Sequence, residues 1–226
     1  AALVGAALAL EVDRITDRPV WLIVADGHSG WANGAALRIA GIDATTPDPP
    51  DGVIVRLGDG TPQGTLHEGA VELMERVVPP DDPSDIRAAL LESQEYLLSL
   101  GITAWQDAWV TPDVHDVYLA TAASGELRCR VRGALWWDRE RDIEQLDEII
   151  ERSRQSAPNY VPGTVKLMLD GVCENFTASM LEPYLDADGR STGNLGLDFI
   201  PGEDLKHIVA AIDAAGLQCH FHALGD

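Results

Sequence analysis

Two short phrases of this chain hold residue types that a hydrolytic metal site needs. The phrase Gln218-Cys219-His220-Phe221-His222-Ala223-Leu224-Gly225-Asp226 sets two imidazoles two residues apart. On a strand that spacing turns both side chains to one face. Paired imidazoles suit Zn²⁺, Mn²⁺ or Fe²⁺, and a metal-free hydrogen-bonded pair is the alternative. The phrase Thr164-Val165-Lys166-Leu167-Met168-Leu169-Asp170-Gly171 places a lysine inside an apolar strand. Burying a bare ammonium is costly, and such a group tends to lose its charge. One reading packs the stem of Lys166 and lets the amine snorkel to a partner. The other has the amine carboxylated by carbon dioxide, which makes it an oxygen ligand for a cation. Asp226 follows in the loop beyond the histidines. It could orient an imidazole through its second nitrogen, or cap a following helix.

Other residues are candidates for substrate contact. Asp26-Gly-His28-Ser-Gly-Trp31-Ala-Asn33 lies on a loop after a strand, and loops of this composition line pockets. His28, Trp31 and Asn33 are the candidates there, with Asn33 also suited to cap the helix that follows. Asp107, Trp137, Asp170 and His222 fall at successive strand ends, and Asp107 and Asp170 join the substrate-contact set. His67, His115 and His207 read as surface or helix residues and receive no role. Asp186-Ala-Asp188-Gly189 reads as a turn, because its glycine is misplaced for a calcium loop. No phosphate loop, Gly-x-Ser-x-Gly elbow or zinc-finger spacing occurs.

The elements that must position these groups come in two textures. From Arg18 to Glu68 the pattern is one of short strands and turns. Arg18–Ala25 is an apolar run. Ala35–Ala40 is a short helix closed by Gly41, and Gly52–Arg56 and Gly64–His67 flank a turn containing Asp59-Gly60, a hairpin pattern. From Pro83 onward strands and helices alternate. A helix with Ser84 as N-cap carries Ile86, Leu90, Leu91, Tyr96, Leu97 and Leu98 as an apolar stripe and ends at Gly101. Strands are predicted over 102–107, 128–137, 165–169 and 217–222, and helices over 114–123, 143–153 and 201–215. Ala1–Leu10 reads as a helix entered midway rather than a signal peptide.

Four strands with intervening helices imply parallel βα units. An open doubly wound sheet and a section of a (β/α)8 barrel both fit. The polar groups at the strand ends favour the barrel, which builds its sites there. The expected fold is therefore α/β: a partial (β/α)8 TIM-type barrel over 83–226. An N-terminal helix and an inserted β-hairpin-rich subdomain occupy 1–82.

Composition limits the partners. The chain has 226 residues and a net charge of −21. That balance argues against nucleic acid, which requires a cationic face, and against anionic membrane surfaces. No stretch approaches the roughly 20 apolar residues of a membrane span. Lys166 and Lys206 are the only lysines, so one inside an apolar strand stands out. Cys129, Cys173 and Cys219 are odd in number and widely spaced, which points to a reduced, cytoplasmic protein.

Taken together, these segments resemble the amidohydrolase superfamily, and most closely its branch that includes N-substituted formamide deformylase. The resemblance rests on Arg18-Pro-Val, Asp26-Gly-His28-Ser-Gly-Trp-Ala-Asn33, Ala36-Leu37 with Ala40-Gly-Ile42, and Pro47-Asp-Pro49. It continues through Gly64-Thr-Leu-His-Glu68, Gly101-Ile-Thr103 with Gln106-Asp107, Val165-Lys166-Leu167 with Asp170-Gly171, Pro183-Tyr184, and His220-Phe-His222-Ala-Leu-Gly-Asp226. It implies barrel strands two to five, with Lys166 as a carboxylated metal-bridging lysine. His222 would be the strand-five ligand, and His220 a ligand or its neighbour. It implies a divalent metal, Zn²⁺ first and Mn²⁺ or Fe²⁺ as alternatives, and hydrolysis of an amide-type, non-peptide C–N bond in a small molecule. The strand-one His-x-His, the strand-six histidine and the strand-eight aspartate it also implies fall outside residues 1–226. These residues alone are thus expected to be inactive. Their half-barrel edges would favour a homo-oligomer or pairing with another chain; a non-catalytic truncated domain is the alternative.

Overall fold

A computed structural model describes residues 12–141 and 143–226. The helix expected over Ala1–Leu10 lies outside the described residues. The chain divides into two units. The first gathers 1–79, 170–198 and 224–226; the second gathers 80–169 and 199–223. The stretch 170–198, which sequence spacing groups with the strands and helices, thus associates with the N-terminal residues.

In the first unit, β1 (Trp21–Ile23), β2 (Ser29–Ala32), β3 (Gly52–Arg56) and β4 (Pro62–Glu68) form an antiparallel sheet in the order β1-β2-β4-β3. The β3–β4 hairpin turns at Gly60, whose φ of 87° belongs to the left-handed region that glycine reaches without penalty. Period-two alternation divides the sheet's faces. Ile54 and Leu66 pack with Ala36 and Leu37 of α1 (Gly34–Ala40) and Met74 of α2 (Glu72–Glu75). Trp31, Thr65 and His67 fall on the opposite face. Asn33 caps α1 by accepting from the Ala36 N–H, and Gly41 closes it in the left-handed conformation.

In the second unit, β5 (Ala104–Val110), β6 (Arg130–Trp136), β7 (Tyr160–Met168) and β8 (Gln218–His222) are all parallel and pair in chain order. Four helices join the unit: α3 (Pro83–Ser99), α4 (Pro112–Ala123), α5 (Gln145–Ser153) and α6 (Gly202–Ala214). One core combines Val131, Leu135, Val165 and Leu167 with Tyr118, Ile149 and Ile212 from α4, α5 and α6. The alternate positions Arg132, Lys166 and His220 lie on the sheet's other face. Consecutive pairing without a switch in strand order differs from the doubly wound alternative, whose sheet reverses order at its centre.

Two local expectations are corrected. Asp82, not Ser84, caps α3: its carboxylate accepts from the Ser84 N–H, and Pro83 takes the first helical position. Tyr96 is exposed, and the buried place on α3 belongs to Gln94. Its amide donates to the Glu126 carbonyl and accepts from Arg128 N–H. His115 lies on α4, within the expectation of a surface or helix position, but faces inward: it is 1% exposed and its Nδ1 lies 2.9 Å from the Tyr160 hydroxyl.

Candidate metal centre

β7 and β8 bring Lys166 and His220 side by side, since the two residues are partners in the parallel register. Trp136 of β6 is the partner of Lys166 on its other flank. His222, opposite Met168, lies on the same face as His220, two residues further along. β8 is held there by its ladder and by the Leu169 N–H donating to the His222 carbonyl.

Lys166 is 7% exposed, and no hydrogen bond or ion pair to its amine is present among the described residues. Burial lowers its pKa below that of an ordinary lysine. His220 is shifted the same way, by burial first and then by the charges of Lys166 and His222. Both shifts favour the neutral forms, which are the forms that bind metals or react with carbon dioxide. The Nδ1 of His220 is buried and has no hydrogen-bond partner. An unpaired, buried ring nitrogen beside a lysine with no amine partner among the described residues fits a cation at this place. Among the described residues, no three His, Cys, Asp or Glu side chains gather at metal-binding range. Lys166, His220 and His222 share one face of the sheet and are the candidate donors.

Trp109 and Trp136 stack near this end of the sheet, with ring centroids 4.5 Å apart and planes 8° from parallel. Asp107 is directed elsewhere. Its carboxylate accepts from the Tyr118 hydroxyl of α4 at 2.8 Å and from the Trp109 N–H.

The remaining candidates belong to the first unit. His28 Nδ1 lies 2.8 Å from the buried carboxylate of Glu68, which also accepts from the Thr177 hydroxyl at 2.7 Å. The Asn33 carboxamide accepts from Val20 N–H and Ala36 N–H and donates to the Arg18 carbonyl. The Asp170 carboxylate accepts from the N–H groups of Ser179, Leu224 and Gly225. Asp226 accepts from Leu181 N–H at 2.6 Å. Trp31 lines a cavity together with His67 and Thr65.

Sequence reasoning missed Glu68, Thr177 and the polar group formed by Ser29, His67 and Asn175. Ser29 Oγ lies 2.8 Å from His67 Nδ1 and accepts from the Asn175 amide. His67 is thus a half-buried strand residue, not a surface one. The Thr65-x-His67 alternation on β4 is the local signal that could have placed it.

Residues 6–226 match the model of the amidohydrolase family, and the chain belongs to that family. It is 32% identical to Protein LONG AFTER FAR-RED 3 of Arabidopsis thaliana over 95% of this chain and 38% of that protein. It is 27% identical to N-substituted formamide deformylase of Arthrobacter pascens over 96% of this chain and 40% of that enzyme. An uncharacterized metal-dependent hydrolase of Pyrococcus horikoshii OT3 shares the fold with a TM-score of 0.67. The match is 22% identical and covers 94% of this chain and 41% of that one. The chain spans about two fifths of the length of the curated relatives it matches. No helix among the described residues is long and apolar enough to cross a membrane.

Proposed function

We propose that this chain is the central part of a metal-dependent amidohydrolase that cleaves an amide-type, non-peptide C–N bond in a small molecule. The observation that carries the reading is the buried, unpaired Nδ1 of His220 beside Lys166, a 7% exposed lysine whose amine has no partner among the described residues. Lys166, carboxylated, would hold a divalent cation together with His220 and His222. Zn²⁺ is the expected ion, with Mn²⁺ or Fe²⁺ as alternatives. A bound ion would supply Lewis acidity to the scissile carbonyl and acidify the attacking water. Lys166 and His220 would then act through neutral donor atoms, a state that burial supports for both. Trp136 is the neighbour of Lys166 in the register.

We assign positioning roles to His28, Asn33, Asp107, Asp170 and Asp226, because each carries hydrogen bonds within its own unit. Sequential parallel strands with a one-sided helical core support completion as a (β/α)8 barrel. Strands β5 and β8 are the sheet's edges among the described residues, and further strands would pair there. The remaining ligands and the general base would come with them, so residues 1–226 alone are expected to be inactive.

The test compares the full-length protein with its Lys166→Ala and His222→Ala variants by elemental analysis and by turnover of an N-formyl and N-acyl amine panel. The reading requires about one or more metal equivalents in the parent and their loss in both variants. Full occupancy in Lys166→Ala rejects the ligand role. Metal-dependent turnover by residues 1–226 alone rejects the fragment reading.

A further inference from the structure

The first unit carries an open-sided cavity of about 610 Å³, a volume that suits a small-molecule ligand. Its floor is the face of the antiparallel sheet that carries Trp31, Thr65 and His67. Its roof is the stretch 174–197, pinned to the sheet unit by two polar contacts: the Asn175 amide to Ser29 Oγ at 2.9 Å and the Thr177 hydroxyl to Glu68 at 2.7 Å. These contacts fix the roof at the side, and the space between stays open instead of collapsing into a packed core.

The walls are mostly apolar, with Val24, Val53, Val55 and Leu185 among them. Phe176 also lines the cavity, is 51% exposed, and sits at a φ of 58°. A bulky residue in the left-handed region is uncommon and is held there at some cost. It meets Tyr184 edge to face at 5.3 Å. Two aromatic faces and an indole can receive an apolar or cationic group.

One further feature narrows the ligand. Asp26, Glu174 and Asp186 also line the cavity, and among the described residues no lysine or arginine does. Their field repels anions and attracts cations.

We propose that this cavity binds a small apolar amine as its ammonium ion, with the hydrocarbon body against the aromatic and branched side chains. The rim carboxylates hold the charge. The site lies within the first unit and does not depend on the hydrolase reading.

The experiment measures binding of 4-phenylbutylammonium, 4-phenylbutanol and 4-phenylbutyrate to the full-length protein by titration calorimetry at low salt. Excess EDTA is present throughout, so the metal centre contributes nothing to the signal. The ammonium probe should bind at least about tenfold more tightly than the carboxylate, with the alcohol between. Val55→Trp fills the cavity and should weaken the ammonium probe by about tenfold or more. Glu174→Gln and Asp186→Asn, which add no bulk, should each weaken it by about threefold. They decide the matter if Val55→Trp does not fold. Saturable binding of the carboxylate as tight as the ammonium, no saturable binding of the ammonium, or unchanged affinity in both Glu174→Gln and Asp186→Asn overturns the proposal.

Discussion

Replacing Lys166 with methionine should stabilise the metal-free protein while removing its capacity to retain metal. The residue is 7% exposed, its amine has no partner among the described residues, and burial lowers its pKa. A fully buried donor without a partner costs about 1–3 kcal/mol, and a partly desolvated amine costs the low end of that range. Methionine has a similar unbranched shape and no polar hydrogen, and it adapts to the same space. In carbonate-depleted buffer with EDTA, Lys166→Met should therefore gain about 1 kcal/mol. With a urea slope of about 2 kcal/mol/M, the unfolding midpoint of the second unit should rise by about 0.5 M. Near-ultraviolet circular dichroism of Trp105, Trp109, Trp136 and Trp137, all in that unit, reads the transition. The same variant, dialysed against Zn²⁺, should retain none at this centre. A methionine variant that is less stable than the parent without metal would refute the reasoning. It would mean that the lysine has a stabilising partner and is structural.

Three other outcomes follow from the geometry. Asp170→Asn loses a buried carboxylate that accepts from Ser179, Leu224 and Gly225, and should cost about 3 kcal/mol, read as a lower urea midpoint of the first unit. Gly225→Ala would set a Cβ 1.6 Å from the Ser179 carbonyl oxygen, so the 224–226 segment should detach, seen as faster hydrogen exchange at Leu181 and Gly225. His67 has a pKa lowered mainly by burial, with Glu68 and Asp26 opposing the shift. The unfolded chain then takes up this proton at higher pH than the folded one. Its stabilising contribution is complete above the ordinary value of 6.5 and declines as pH falls through the lower folded value. His67→Asn should flatten the acid side of the stability curve, and an unchanged slope would contradict the assignment.

Local periodicity determined much of this protein. Alternating βα texture, the Asn33 and Gly41 caps, the Asp59-Gly60 hairpin and the i, i+2 placement of His220 and His222 each depend on residues within a few positions of one another. The lysine inside an apolar run was equally legible, because burying it contradicts its chemistry. The adjacency of Lys166 and His220 was not, since it arises from the register of two strands 54 residues apart, as Thr164 and Gln218 show at hydrogen-bonding range. Asp107 read as a strand-end substrate contact, yet its carboxylate turns to Tyr118. One residue's shift in strand phase decides that direction. The cavity lay furthest from view. It depends on Thr177 meeting Glu68 across 109 residues and Asn175 meeting Ser29 across 146. Such contacts carry no local pattern, because the polar atoms that satisfy one another are chosen by the packed chain and not by their sequence neighbours.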